Sequence, residues 1–203
     1  MAGSGGRTQR IGVMGGTFDP IHNGHIGAAC EALQQCGLDE VVFVPTGVSW
    51  QKQGRGVSDP EDRYAMALLA THRQQHFRVS RVDIDRDKPT YTADTLRDLV
   101  KHYGPDVELY FIAGADIAES VLTWKFIDDV FALATFIIVN RPNNVSSTAH
   151  WPEAAKVQAI EMPMLDISST SCRARAATGQ PLQYLMPESV AEYIASRGLY
   201  RDA

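Results

Sequence analysis

Short, uninterrupted apolar runs separated by stretches with helical spacing are the feature that most constrains the fold of this chain. Residues 41–44 read VVFV and residues 107–113 read VELYFIA, with almost no alternation of polar and apolar side chains. A strand without such alternation is buried on both faces. Strands of this kind that alternate with helices form a parallel sheet covered by helices. The sequence therefore predicts one α/β domain with a mostly parallel sheet and helices on both faces.

The same patterns divide the chain into predicted elements. Strands are predicted at 11–15, 41–44, 77–82, 107–113, 134–139 and 156–162. Helices are predicted at 22–35, 59–73, 91–103, 167–177 and 188–197, with a further helix or turn after Asp116. Ser58 and Glu61 are predicted to form a capping box before the second helix. Residues 1–10 are predicted to be a disordered tail, 11–203 to be the domain, and the polar residues 141–152 to be mobile.

Composition limits the classes of function. The 203 residues carry a net charge of −5, so the chain lacks the basic footprint of a protein that binds a nucleic-acid polymer. A mononucleotide needs only a local cluster of cations and stays compatible with this charge. No apolar run reaches the roughly 18 residues of a membrane span. Cys30, Cys36 and Cys172 form no CxxC pair, which favours buried thiols in a reducing cytoplasm over disulfides or zinc. A homo-oligomer is left open.

Residues 15–25, which read GGTFDPIHNGH, directly follow the first predicted strand. Gly15 and Gly16 allow the backbone to approach a ligand closely. His22 and His25 lie three residues apart at the start of a predicted helix, so their imidazoles share one face. The N–H groups at that helix start attract anions. This spacing favours a phosphate site, and the alternatives are half of a metal site or two ordinary surface histidines.

Other polar segments each have two interpretations. Residues 167–173 read ISSTSCR, and their hydroxyls, N–H groups and Arg173 suit either a phosphate or an ordinary helix cap followed by a solvated arginine. Asp116 follows a strand and suits either ribose hydroxyls or a helix cap. Trp124 suits either the face of a flat ring or a packed core. The sequence contains no P-loop, and no GxGxxG follows the first strand.

Taken together, these segments resemble the HxGH nucleotidyltransferase superfamily, in the form found in nicotinate-nucleotide adenylyltransferases. Residues 15–25 carry the HxGH signature, and ISSTSCR resembles the second signature, ISSTxxR, with Cys172 where an aliphatic residue is usual. YTADTL at 91–96 resembles the family's YTxDTL segment, and FIAGAD at 111–116 resembles its IxGxD segment. The resemblance implies a single Rossmann-like α/β domain.

The resemblance also implies an activity and a site. The implied reaction is transfer of AMP from ATP to nicotinate mononucleotide, giving nicotinate adenine dinucleotide and pyrophosphate in NAD biosynthesis. Mg²⁺ is expected to accompany ATP, with no metal held by the protein itself. The implied catalytic residues are His22, His25 and Arg173. The implied ATP-binding residues are Gly15, Gly16, Thr17, Phe18, His22, His25, Gly114, Asp116, Ser168, Ser169, Thr170 and Arg173. The implied mononucleotide-binding residues are Thr92, Trp124 and Lys52.

Two other functions compete with this one. A phosphopantetheine adenylyltransferase shares the phosphate chemistry, but such chains are shorter, usually have Thr at the position of His22, and lack the YTxDTL segment. A nucleotide-binding sensor without turnover is the second alternative, and the presence of His22, His25 and Arg173 argues against it. The sequence does not decide between nicotinate and nicotinamide mononucleotide.

Overall fold

The computed structural model describes residues 7–47, 56–140, 150–163 and 165–201. In these ranges, six strands form one sheet in which every neighbouring pair is parallel. The strands are β1 Gln9–Gly16, β2 Glu40–Pro45, β3 Phe77–Val79, β4 Val107–Gly114, β5 Ala134–Asn140 and β6 Val157–Glu161. Their order across the sheet is β3-β2-β1-β4-β5-β6. The predicted parallel sheet is confirmed.

Helices lie between and after these strands. In the ranges described, they are α1 Asn23–Gln35, α2 Pro60–Thr71, α3 Thr92–Tyr103, α4 Ala115–Ser120, α5 Ile127–Leu133, α6 Ser169–Ala177 and α7 Glu188–Arg197. A 3-10 turn at Val121–Thr123 follows α4. Helix α5 was not predicted, because seven residues are too few to show a helical period.

The side chains of β2 explain why its sequence does not alternate. Val41 and Phe43 pack in a layer with residues of α1, α2, α6 and α7. Val42 and Val44 pack in a second layer on the opposite face, with residues of α3 and α5. Both faces of the strand are therefore buried, as expected for a central strand of a parallel sheet. The predicted helices on both faces are confirmed.

The strand order determines where a ligand can bind. The chain passes from β1 through β2 to β3 on one side and resumes beside β1 with β4. This is the strand order of a Rossmann-type sheet. The order in which the chain adds strands reverses between β1 and β4, which leaves a crevice beyond the carboxyl ends of these two parallel strands. The glycine pair of residues 15–16 ends β1 at this crevice.

The predicted boundary at residue 10 falls inside β1, so Gln9 and Arg10 belong to the sheet. Two contacts of Arg10 explain why the strand begins early. Its backbone N–H donates to Asp39 Oδ2 at 2.9 Å, and its Nη2 donates to the hydroxyl of Tyr110 at 2.7 Å. Residues 1–6 of the predicted tail lie outside the described residues.

Two predicted boundaries were also wrong. Asp59, not Ser58, caps α2: its side chain accepts a hydrogen bond from Glu61 N at 2.8 Å. Pro60 occupies the first helical position, which moves the cap one residue along. Strand β3 ends at Val79 instead of continuing to residue 82, because the chain then turns.

One residue of the predicted mobile segment 141–152 belongs to the core. Trp151 is 8% exposed, and its ring meets that of Phe136 edge-on at a centroid distance of 5.0 Å. An indole of this size packs wherever the core offers space, even when the surrounding sequence is polar. Residues 141–149 lie outside the described residues, so the rest of this prediction is untested.

Candidate active site

A cavity of about 620 Å³ opens at the carboxyl edge of the sheet, where β1 meets β4. Its walls come from the ends of both strands and from the first turns of α1, α3 and α6. The sequence-predicted residues among its lining are Gly15, Gly16, Thr17, His22, His25, Thr92, Gly114, Trp124, Ser168 and Ser169. Residues from four separate sequence segments therefore meet in one space.

The two histidines form a stacked pair at the start of α1. Their ring centroids lie 3.8 Å apart with an interplanar angle of 28°. The backbone N–H of His22 donates to Nδ1 of His25 at 3.2 Å. Because Nδ1 accepts, the proton of the neutral His25 ring lies on Nε2. Burial, assisted by the neighbouring His22, lowers the pKa of His25 to about 3. His25 is thus a neutral hydrogen-bond donor at physiological pH.

Gly24 between the histidines is required by their packing. A Cβ atom at this position would lie 3.0 Å from Nδ1 and 3.1 Å from Cε1 of His22. A side chain here would therefore force the His22 imidazole to shift by a few tenths of an ångström beside His25. This contact gives a physical reason for the glycine of the HNGH segment.

Phe18 packs against the ring of His25. It is 2% exposed and does not line the described part of the cavity. Its ring meets that of His25 edge-on, at a centroid distance of 5.1 Å and an angle of 84°. Its φ of 51° is uncommon for a residue with a side chain. Phe18 fixes the orientation of His25 through packing.

The start of α6 closes the same side of the cavity. The Ser168 side chain accepts a hydrogen bond from Ser171 N at 3.1 Å and caps the helix. Ser169 Oγ donates to the carbonyl of Pro20 at 2.9 Å. This bond joins α6 to the loop that carries His22. The starts of α1 and α6 therefore both border the cavity, and helix starts attract anions.

Arg173 lies at the edge of this region and not in the described cavity wall. Its Nη1 donates to the carbonyl of Asp19 at 2.7 Å, and its Nη2 donates to Thr170 Oγ1 at 3.3 Å. Asp19 is three residues before His22, so the guanidinium is held against the loop that leads to the histidines. Thr170, like Arg173, is outside the cavity lining.

Aromatic and hydroxyl side chains form a further part of the cavity wall, which we call its aromatic end. Trp124 packs edge-on against Phe111 at a centroid distance of 5.7 Å. Thr92, the first residue of α3, lies in the same wall. The side chain of Asp116 and the whole of Lys52 lie outside what the structure describes.

A family model described as Cytidylyltransferase-like matches residues 13–175. A protein of Saccharopolyspora erythraea named probable nicotinate-nucleotide adenylyltransferase is 55% identical over 195 residues, which are 96% of this chain and 91% of that protein. A protein of the same name from Salinispora arenicola is 55% identical over 188 residues, 93% of this chain and 100% of that protein. The chain belongs to the nicotinate-nucleotide adenylyltransferase family.

A solved relative shares the fold of this adenylyltransferase chain. The structure of Plasmodium falciparum nicotinic acid mononucleotide adenylyltransferase complexed with NaAD matches with a TM-score of 0.78 and covers 96% of this chain and 98% of that one. At 18% identity this similarity concerns the architecture alone. The family assignment made from the four sequence segments is confirmed.

The adenylyltransferase cavity also contains polar residues that were not predicted. Asp83 is 6% exposed and accepts a hydrogen bond from Thr95 Oγ1 at 2.7 Å. Burial raises the pKa of Asp83 to about 6. Lys125 lies in the same wall and donates to the Tyr91 hydroxyl at 3.2 Å. Asp83 precedes the YTADTL segment by eight residues, and only the fold brings the two together.

The described ranges contain neither a cluster of metal ligands nor a helix that could span a membrane. Within them, no group of three or more His, Cys, Asp or Glu side chains is arranged to hold a metal ion. No helix in these ranges has the length and apolar character that crossing a membrane requires.

Proposed function

We propose that this chain transfers AMP from ATP to nicotinate mononucleotide and releases nicotinate adenine dinucleotide and pyrophosphate, a step of NAD biosynthesis. The observation that carries the proposal is one cavity that holds the glycine turn, the histidine pair, the start of α6 and the Thr92–Trp124 wall. The same cavity contains phosphate-binding features, the glycine turn and the helix starts, and aromatic features, Phe111 and Trp124. The family of close relatives supports the same reaction.

The triphosphate of ATP is assigned to the end where α1 and α6 begin. Gly15 and Gly16 let the backbone approach the phosphates, and the helix starts offer N–H groups. His25 Nε2–H donates to the phosphorus-bound oxygens where negative charge develops, and His22 contacts the phosphate chain. Arg173, held at the edge by Asp19, adds positive charge. We also assign phosphate binding to Ser168, Ser169 and Thr170 at the start of α6.

The chemical step is an in-line displacement. A phosphate oxygen of the mononucleotide attacks the α-phosphorus of ATP, a new P–O bond forms, and the bond to the β-phosphate breaks to release pyrophosphate. The substrate supplies its own nucleophile, so no covalent enzyme intermediate is needed. Catalysis then consists of holding the two substrates in line and stabilising the charge of the transition state.

The aromatic end is assigned to the mononucleotide. The indole face of Trp124 suits the flat pyridine ring, and the edge-on contact with Phe111 holds that indole in place. Thr92 borders the same ring at the start of α3. Lys52 is proposed to reach the mononucleotide and Asp116 the ribose of ATP.

Mg²⁺ is proposed to enter as part of the ATP complex. Asp83 is the one carboxylate in the described cavity wall, and its Oδ1 already accepts a hydrogen bond from Thr95. These residues do not form a resident magnesium site, because Mg²⁺ prefers several oxygen ligands in octahedral geometry. Phosphate oxygens and water supply those ligands. We also propose a cytoplasmic location, in line with the free thiols of all three cysteines.

Incubation of the purified chain with MgATP and one acceptor at a time tests the proposal. The acceptors are nicotinate mononucleotide, nicotinamide mononucleotide and phosphopantetheine, with pyrophosphate release and product mass as readouts. We expect nicotinate adenine dinucleotide to form fastest. Reaction with phosphopantetheine alone would assign the chain to the sibling activity. ATP binding without pyrophosphate release from any acceptor would indicate a sensor.

A further inference from the structure

Arg63 is a buried guanidinium that no sequence motif identifies. It lies in α2 and is 2% exposed. Its Nε donates to the carbonyl of Ser58 at 3.0 Å, its Nη1 to the carbonyl of Thr17 at 2.8 Å, and its Nη2 to the carbonyl of Gly47 at 3.2 Å. These carbonyls belong to two loops, since Thr17 follows β1 while Gly47 and Ser58 lie near the two ends of the connection between β2 and α2. One side chain therefore fastens the chain after β1, the chain after β2 and the entry to α2.

The charge of Arg63 is compensated inside the protein. Burial lowers its pKa, and the nearby carboxylate of Asp19 acts in the opposite direction. Asp19 is itself 4% exposed and accepts a hydrogen bond from the Tyr200 hydroxyl at 2.7 Å. A buried cation is costly unless it is paired and its donors are satisfied. Each of the three guanidinium nitrogens donates to a carbonyl, and Asp19 supplies negative charge nearby.

Two contacts connect this cluster to the cavity. Thr17 lines the cavity and directly follows the glycine turn. The carbonyl of Gly16 accepts a hydrogen bond from Thr46 N at 2.9 Å, so the loops after β1 and β2 are joined at the site. The C=O and N–H of a trans peptide point in opposite directions. Holding the Thr17 carbonyl on Arg63 therefore fixes the direction of the Phe18 N–H as well.

We propose that Arg63 is a positioning residue for AMP transfer, which sets the phosphate-binding turn by holding the carbonyls of Thr17 and Gly47 together. The proposal rests on the proposed function, since it assigns the turn to the phosphates of ATP. Arg63 acts through Thr17 and touches no substrate. Its planar fork of donors reaches three carbonyls at once, which a lysine ammonium on one flexible stem cannot do.

Arg63→Lys and Arg63→Ala test this role, with Arg73→Lys as the matched control at an exposed position just after the same helix. The readouts are the ATP dissociation constant by calorimetry, kcat, KM and the melting temperature. We expect Arg63→Lys to remain folded at the assay temperature and to lose kcat on the order of 10²-fold, because small misplacements of reacting groups have effects of this size. ATP affinity falls as well, and Arg73→Lys matches the wild type.

Chemical rescue separates positioning from general stability. Methylguanidinium added to Arg63→Ala should restore part of the ATP affinity and turnover, whereas methylammonium at the same concentration should not. Folded Arg63 variants with unchanged kcat and ATP affinity would overturn the proposal. Failure of both variants to fold at 10 °C in a stabilising osmolyte would assign Arg63 to folding alone and overturn it too. If the wild type binds ATP but transfers no AMP, the proposed function fails, while rescue of ATP binding still tests Arg63.

Discussion

The imidazole of His22 is stacked on that of His25, with ring centroids 3.8 Å apart, and the backbone N–H of His22 donates to Nδ1 of its neighbour. This arrangement determines the proton position in His25. Two stacked rings cannot both be charged without repulsion, and burial adds to that cost. His25 is therefore a neutral donor before an anion arrives.

Replacement of His25 by Ala should remove one preorganised donor to the α-phosphate. We expect kcat to fall on the order of 10²–10³-fold, as is typical when such a donor is deleted. The exposed His102→Ala serves as control, since it lies at the end of α3 away from the cavity lining. Steady-state kinetics measure the effect, and a His25→Ala enzyme with wild-type kcat would remove His25 from the catalytic residues.

The pH dependence of His25 gives a second prediction. Its pKa in the folded chain is about 3, below the ordinary value of 6.5, so the unfolded chain binds more protons between these values. His25 therefore favours folding above pH 6.5 and loses that contribution as pH falls towards 3. The pKa of Asp83 is raised to about 6, so Asp83 favours folding at low pH and loses that contribution as pH rises towards 6. The slopes of stability against pH for the two residues are therefore opposite.

Because the two slopes overlap, NMR of the His25 ring is the measurement that separates them. We expect no titration of His25 near pH 6.5 in the free chain. Saturation with MgATP should raise the pKa of His25, since a bound anion favours the imidazolium. An ordinary titration near 6.5 without ligand would contradict the burial and proton position described above.

Gly24→Ala should separate activity from stability. The new Cβ would lie 3.0 Å from the His22 ring, so we expect turnover to fall. Ala favours a helix interior over Gly by about 1 kcal/mol, and because Gly24 is the second residue of α1 this gain at most offsets the crowding, so the free energy of unfolding should change little. Gly27→Ala in the same helix is the control, because its Cβ meets side-chain atoms at 3.4 Å and 3.5 Å. Equal activity of the two variants would disprove the steric argument.

Trp124→Ala should affect one substrate more than the other. We expect the KM for nicotinate mononucleotide to rise and the KM for ATP to change little, because the indole lies at the aromatic end of the cavity. Trp124→Phe should recover part of the loss, and Leu122→Ala on the exposed surface nearby is a control. Equal changes in both KM values would indicate general damage instead of a pyridine site.

The sequence predicted the sheet from local patterns, and it indicated many residues around the cavity through the resemblance of four segments to a known family. The run Val41–Val44 identifies a doubly buried strand without further information, and the segment around His22 combines a strand end, a glycine turn and a helix start. The cap of α2 was missed by one residue because Ser58 and Asp59 are both good caps, and only the neighbouring Pro60 decides between them.

Arg63 could not be predicted in the same way. Its partners Thr17 and Gly47 lie 46 and 16 residues away in the chain, and an arginine in a helix is normally solvated. Phe18 presents the same difficulty, since the motif that contains it does not reveal that its ring faces the core. Burial of a particular side chain depends on tertiary packing, which local sequence does not encode.

The bond from Ser169 to the carbonyl of Pro20 joins residues 149 positions apart. During synthesis, the glycine turn and the histidines leave the ribosome early, while the second helix start follows only after most of the chain. Protein fragments that end before residue 167 would carry the HxGH signature and yet lack the start of α6, which is half of the proposed phosphate site. Such fragments would not compete for nucleotide, and joining two separately produced pieces should restore binding only when both helix starts are present.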